Sequence, residues 1–239
     1  MSNRYFGNFS NNTLTLENDD IFHLTKVLRI KKHETIEVVA AETLFLAQVK
    51  DYNPFCLEII SHTPLITENS LKTTLIYALP KGDKLDFVLQ KSVELGVHNI
   101  ILVETERSIA KITKDKEASK LLRYQKIIKN AAMQSKRDFI PQVLGPMALK
   151  DALLLPSTLK LMAHEKATLP FAKMLLDLKE EPATLSVLVG PEGGFSESEV
   201  KLAEDAGYHI ISFGKTILRS ETAPLYALSV INNYKEGLK

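Results

Sequence analysis

The chain has 239 residues, 45% of them hydrophobic and 25% charged, with a net charge of +1. That balance suits a globular protein of one large domain or two smaller ones, and no apolar run approaches the length of a membrane span. The single cysteine, Cys56, excludes an internal disulfide and a cysteine-rich metal site; with no apolar signal core near Met1, the expected location is cytoplasmic.

Residues 1–70 read as short strands, Arg4–Phe9, Thr13–Leu16, Thr35–Ala40, Leu44–Lys50 and Phe55–Ser61, the last two split by Asn53-Pro54. One helix interrupts them. Asn18 or Asp19 is placed to cap it, and Ile21, Leu24, Val27 and Leu28 form its apolar face. Cys56 lies in an alternating segment and is expected to be a small core residue. Short strands with one helix suggest a small barrel. It is net acidic, with six basic and nine acidic residues, and Lys26, Arg29, Lys31 and Lys32 form its basic cluster.

Pro64–Leu71 is polar and turn-rich, a linker to a second domain over 71–239. There the periodicity changes. Thr74–Leu79 is a strand, Lys81-Gly82-Asp83 a turn whose Asp83 can cap a helix, and Leu85, Val88, Leu89, Ser92 and Val93 line that helix before Gly96 ends it. Asn99–Val103 is the next strand. A long helix over about 117–136 carries Leu121, Tyr124, Ile128, Ala131 and Ser135 on one face. Leu159–Ala163 is a strand, Leu169–Leu178 a helix and Leu185–Val189 a strand buried on both faces. Strands alternating with helices predict α/β architecture with a parallel sheet. Residues 107–137 hold ten Lys/Arg against two acids, an excess of +8 that leaves the remainder near −7. So local an excess favours a polyanion-binding surface over a merely solvated helix face.

Two stretches stand out chemically. Gly190-Pro-Glu-Gly-Gly194 follows a buried strand, and Ser196 with Glu199 forms a capping box, so a helix starts just after the glycines. A strand, a glycine turn and a helix start make a pocket for a polar or anionic group. The turn matches neither the dinucleotide nor the P-loop fingerprint. Gly214-Lys-Thr-Ile-Leu-Arg-Ser-Glu-Thr-Ala223 likewise comes after an apolar run, His209–Phe213, and precedes a helix. Two such loops at successive strand ends suggest one shared site at a sheet edge. His164-Glu165 also comes after a strand, but adjacent residues project differently and no second pair is near, so no metal is expected. No Ser-His-Asp order and no nucleophile elbow is present.

Gly-Pro-Glu-Gly-Gly-Phe-Ser and Ile-Leu-Arg-Ser-Glu-Thr-Ala resemble the RsmE family, bacterial 16S rRNA methyltransferases of the SPOUT superfamily. Upstream, His23-Leu24 with Val27-Leu28-Arg29, Lys81-Gly82-Asp83-Lys84, Gln90-Lys91 with Glu94-Leu95-Gly96-Val97, Glu106-Arg107-Ser108, and Ala131-Ala132 with Gln134-Ser135 and Arg137 are similar to it in order. The family often has an Asp-Gly turn where this chain has Ala40-Ala41. The resemblance implies a PUA-like β-barrel over 1–70, a SPOUT domain with a C-terminal trefoil knot over 71–239, and a homodimer packed through the knotted regions. It also implies S-adenosylmethionine as methyl donor and N3 of a uridine in small-subunit rRNA as acceptor.

The expected cofactor residues are those of three knot loops: Ala163; Val189, Gly190, Pro191, Glu192, Gly193 and Gly194; and Phe213, Gly214, Ile217, Leu218, Thr222 and Ala223. Ile217 and Leu218 either wall the adenine or are plain core. Arg219 is expected to steady charge on the uracil oxygens or to brace the loop on Glu221 or Glu192, and Glu221, water or the RNA takes the proton. Arg4, Lys26, Arg29, Lys31, Lys81, Lys84, Arg107, Arg123, Lys126 and Arg137 are the expected RNA contacts. Another SPOUT activity, or a non-catalytic RNA-binding protein of the same fold, are the alternatives.

Overall fold

A computed structural model describes residues 4–65 and 71–237. Among them the chain forms two compact units, one of 4–65 with 132–140, the other of 71–131 with 141–237. Most of the expected linker, residues 66–70, lies outside the described residues.

The first unit is a five-stranded sheet. Its strands are β1 (Arg4–Ser10), β2 (Thr13–Leu16), β3 (Thr35–Ala40), β4 (Thr43–Tyr52) and β5 (Phe55–Pro64), ordered β2-β1-β3-β4-β5. β2 at one edge also approaches β5 at the other, so the sheet curls toward closure. Tyr5, Val38, Phe45, Ala47 and Val49 fill its core, joined by Met133 from the returning segment. That segment is tied to the sheet by charge: Arg4 bonds Glu37, the Lys136 carbonyl and Asp138, and Lys136 Nζ donates to Glu37 at 3.0 Å. The β3–β4 hairpin turns through Ala41 and Glu42, both with positive φ (45° and 55°), so the twisted hairpin forms without a glycine.

Three expectations here fail. Cys56 is exposed rather than core. The helix predicted with Ile21, Leu24, Val27 and Leu28 on one face is α1 (Asn18–Phe22) continued by a π-helical turn (His23–Val27), in which Leu28 N–H reaches back five residues to the His23 carbonyl. The wider turn rotates the residues beyond it, so Leu24 is buried while Val27 and Leu28 face solvent, 59% and 51% exposed. The N-cap of α1 is Glu17, and neither Asn18 nor Asp19 caps it.

The second unit is a six-stranded sheet, parallel throughout: β6 (Lys72–Ala78), β7 (Asn99–Glu104), β8 (Gln142–Ala148), β9 (Leu159–Ala163), β10 (Thr184–Val189) and β11 (His209–Ile211), ordered β11-β9-β10-β6-β7-β8. Strand β8 and the short helix α4 (Leu149–Leu153) carry no periodicity strong enough to anticipate. Helices α2 (Lys84–Glu94), α3 (Lys114–Gln134), α5 (Phe171–Leu176), α6 (Glu197–Asp205) and α7 (Thr222–Glu236) complete the chain. Central strands are buried on both faces, as their unbroken apolar runs require. Ile76, Ile101, Met162 and Leu188 meet Leu153 of α4 and Ala203 of α6 on one side. Leu75, Tyr77, Ile100 and Leu102 alternate onto the other, also buried. Helix α2 buries the predicted Leu85, Val88, Leu89, Ser92 and Val93, although Asp83 at its N-cap makes no side-chain cap bond.

In the all-parallel sheet the carboxyl ends of β9, β10 and β11 lie side by side. The loops leaving them, 163–165, 189–195 and 212–223, therefore converge at one edge.

Candidate methyl-transfer site

The glycine turn is fixed from both sides. Ser196 Oγ accepts the Glu199 N–H, and Glu199 Oε2 accepts the Ser196 N–H at 2.9 Å, so the predicted capping box is present. Buried Glu199 uses its other oxygen to accept the Glu106 N–H at 2.8 Å. Arg107 Nη1 donates to the Gly193 carbonyl at 3.0 Å. Gly194 has φ +65°, a left-handed conformation a branched residue resists, and its N–H closes the turn onto the Pro191 carbonyl. That amide is spent inside the turn.

The loop after β11 is pinned from beneath. Tyr77, fully buried on β6, donates its hydroxyl to the Ser220 carbonyl at 3.0 Å, and burial pushes its phenol far above the usual range. The Phe213 ring packs between Phe171 and Tyr226, at centroid distances of 5.6 and 5.1 Å. Beyond it Ile217 stands 82% exposed. A large apolar side chain held out on a pinned loop has no core to join, which decides against the plain-core reading of that residue.

Between these loops lies a cavity of about 610 Å³. The structure brings together around it Ala163, Val189, Gly190, Pro191, Glu192, Gly193, Gly194, Phe213, Gly214, Ile217, Leu218, Arg219 and Ala223, all anticipated from sequence. Thr222 and Glu221 do not line it. Thr222 is the first residue of α7, and its N–H is spent on the Arg219 carbonyl. His164, Glu165, Ser212 and Ser220 do line it and are not among the binding residues expected from sequence. Gly214, with φ +111°, borders open space, where a side chain would intrude. A cavity of this size, walled by apolar side chains and rimmed by backbone and a few polar groups, fits a nucleoside-sized ligand bearing charged ends.

The charged rim is organised by Lys84, at the start of α2. Its ammonium lies 3.2 Å from Glu192 Oε1 and 2.9 Å from Glu221 Oε2. Ser220 Oγ donates to Glu192 at 2.9 Å, and the Lys81 N–H does so at 3.2 Å. Burial alone would push the Glu192 carboxyl up, but bonds from its own backbone, Ser220, Lys84 and Lys81 outweigh it and hold it below the usual range. Glu221 is held down chiefly by the Lys84 hydrogen bond, and Lys84 is raised in turn, first by Glu221 and then by Glu192. A carboxylate so stabilised is a poor proton acceptor, which counts against Glu221 as the base. Arg219 is exposed at the rim, and among the described residues no side chain pairs with its guanidinium. The expected brace onto Glu221 or Glu192 is made by Lys84 instead.

The expected RNA contacts divide. Lys26, Arg29 and Lys31 are exposed on the first unit, and Lys81 and Lys126 on the second. Arg123 is bidentate to Asp86 at 2.6 and 2.7 Å, and Arg107 is engaged by the glycine turn. Arg4 is bound to Glu37 and Asp138, and Arg137 is 6% exposed against Phe139. Arg137 is therefore corrected to a structural residue: a buried guanidinium presents nothing to a phosphate. His164 and Glu165 approach to 3.7 Å, and among the described residues no group of three ligating side chains clusters.

A family model described as an RNA methyltransferase domain matches residues 67–232. The ribosomal RNA small subunit methyltransferase E of Synechocystis is 32% identical over 229 residues, covering 94% of this chain and 74% of the relative. The crystal structure of the Neisseria gonorrhoeae ribosomal RNA small subunit methyltransferase E, bound to S-adenosyl methionine, superposes with a TM-score of 0.86 at 32% identity, over 98% of each chain. A Legionella pneumophila protein in complex with its bound cofactor SAM gives 0.87 at 30% identity, again over 98% of each. With the family model spanning more than half of it, and relatives of this identity along nearly its whole length, the chain belongs to the ribosomal RNA small subunit methyltransferase E family.

Proposed function

We propose that this protein methylates N3 of a specific uridine in 16S rRNA of the small ribosomal subunit, with S-adenosylmethionine as donor. The observation that carries the reading is the cavity at the β9, β10 and β11 ends, where a nucleoside-sized apolar slot meets Arg219, whose guanidinium has no side-chain partner among the described residues. Ile217 and Leu218 wall the adenine, the backbone of 213–218 reads its edge, and the glycine turn takes the polar atoms of the amino-acid end. The cofactor supplies an electrophilic methyl group on a sulfonium.

The chain's own residues prepare the acceptor. N3 of uracil carries a proton and is a weak nucleophile until that proton leaves. Arg219 donates to a uracil carbonyl, where negative charge grows as the proton goes, and so favours the transition state over the ground state. An arginine is too basic to take the proton, and Glu192 and Glu221 are engaged by Lys84, so it passes to solvent. The target base leaves its stack to reach the cavity.

The strand order β11-β9-β10-β6 supports a trefoil knot formed by the three loops. The curled first sheet, with Lys26, Arg29 and Lys31 exposed, supports a PUA-like barrel that holds RNA. A homodimer would use Tyr226 and the half-buried Leu225 and Val230 of α7, because Leu228 and Ile231 already lie in the chain's own core. The working location is the cytoplasm, where the small subunit is assembled; no helix among the described residues is long and apolar enough to cross a membrane.

The test is mass spectrometry of small-subunit rRNA, supplied free and in assembled subunits, after incubation with purified protein and S-adenosylmethionine. One 3-methyluridine per rRNA is expected. A ribose methyl or another methylated base would replace the N3 assignment, and no methylation of free rRNA or assembled subunits would point to a non-catalytic RNA-binding role.

A further inference from the structure

Two cations face the cavity from different strand ends. Arg219 comes from the loop before α7, and Lys84 from the first turn of α2. Lys84, expected among the RNA contacts, lines the cavity. An ammonium has three N–H donors, and Lys84 gives one each to Glu192 and Glu221. Among the described residues the third has no acceptor. Glu192 also accepts from Ser220 Oγ and the Lys81 N–H, so it stays satisfied if Lys84 shifts toward a ligand. The two carboxylates keep the ammonium charged and aimed at the cavity.

Uracil is shaped for two such donors. Its O2 and O4 flank N3 in the ring plane, and once N3 loses its proton the negative charge spreads over all three atoms. The methyl group must arrive in that plane at N3. A carboxylate placed at N3 would block it, whereas a cation at each carbonyl leaves N3 open and stabilises the anion.

We propose that Lys84 is the second member of a two-cation clamp on the target uracil, donating to one carbonyl while Arg219 donates to the other; this rests on the uridine-N3 reading above. The N3–H bond breaks with its proton passing to solvent and its electron pair staying on N3. N3 then bonds the methyl carbon with that pair while the carbon–sulfur bond breaks, its electrons left on sulfur as a neutral thioether. Cytosine has no N3 proton to lose and turns an amino donor where uracil has O4, so one cation would face a donor. The clamp thus selects uracil as well as activating it.

The test compares small-subunit rRNA transcribed with uridine against the same rRNA transcribed with 5-fluorouridine. The ring fluorine acidifies N3 and supplies chemically part of what a missing cation withholds. Wild type, Lys84→Met and Lys84→Arg are followed in single-turnover methylation, with cofactor affinity measured by calorimetry. Lys84→Met should fall on the order of 10²-fold on uridine, the scale for losing one transition-state donor. It should recover most of that on 5-fluorouridine, with cofactor affinity near wild type, and Lys84→Arg should retain most activity. Lys84→Gln, which can still donate to a carboxylate without charge, repeats the comparison if Lys84→Met melts. An equal loss on both RNAs would show that Lys84 only braces the loops, and no loss would remove it from the site; either result overturns the clamp. If wild type forms no 3-methyluridine in either rRNA, supplied free or assembled into subunits, the functional reading itself fails, a result separate from both.

Discussion

The C-terminal loops and the basic segment 107–137 are both conspicuous in the sequence, yet only the loops keep their residues together. Gly190–Gly194 and Gly214–Ala223 leave the carboxyl ends of β10 and β11, the two parallel strands that flank β9, so topology alone delivers them to one cavity. The basic segment is dispersed: Arg107 holds the glycine turn, Arg123 holds Asp86, Lys136 holds Glu37 and Arg137 is buried. A run of charge in sequence is a sum over a helix and its flanks, and each member answers to its own neighbours. A strand-end motif has one geometry wherever the sheet is parallel.

The comparison is broken most severely at Gly194. Gly194→Val forces a branched residue into φ +65° and points its side chain at Glu165, whose carboxylate a Cβ would meet at 3.5 Å. The turn relieves the backbone strain, on the order of 1–3 kcal/mol, by leaving its binding shape, so cofactor affinity by calorimetry should fall about 5- to 150-fold, while the circular dichroism spectrum stays folded. Unchanged affinity would take the cofactor away from this turn.

A smaller effect is expected from the basic segment. Reversing Arg123, Lys126 and Lys129 to Glu should weaken rRNA binding and reduce the slope of log affinity against log salt, because fewer counterions are released. An unchanged slope would mean that none of the three meets phosphate.

The smallest effect is on stability. Glu199→Ala removes the acceptor of two amide N–H groups, Ser196 and Glu106, in a buried setting. A loss of about 1–3 kcal/mol in urea unfolding is expected. The carboxyls of Glu192 and Glu221 lie below their ordinary value of 4.5, so the stability they contribute is complete above that pH and lost as the pH falls below it. Removing Lys84 should flatten that acid dependence, and an unaltered dependence would place its origin elsewhere.

Legibility from sequence divides in the same way. The parallel sheet, the capping box and the two glycine-bearing loops are legible because apolar runs, Ser-x-x-Glu spacing and glycine turns act locally, and the thirteen cavity residues are named through the family resemblance that those loops carry. Tyr77 is not legible as a site residue and Lys84 is legible only as an RNA contact: each reaches the 219–223 loop from more than 100 positions away, which no periodicity records. The face of α1 is misread because periodicity assumes 3.6 residues per turn and the chain inserts a π turn. Segment 132–140 returns to the first unit through Met133 and the Arg4–Asp138 pair, although it continues a helix begun in the second.

Arg219 is where the account is most exposed. Arg219→Ala should leave cofactor affinity and melting temperature near wild type, since no partner in the described structure depends on the guanidinium, while single-turnover methylation of rRNA falls about 10²–10³-fold. If cofactor affinity, stability and rate instead decline together, Arg219 holds the loop rather than the uracil, and the assignment of the chemistry to this rim is contradicted.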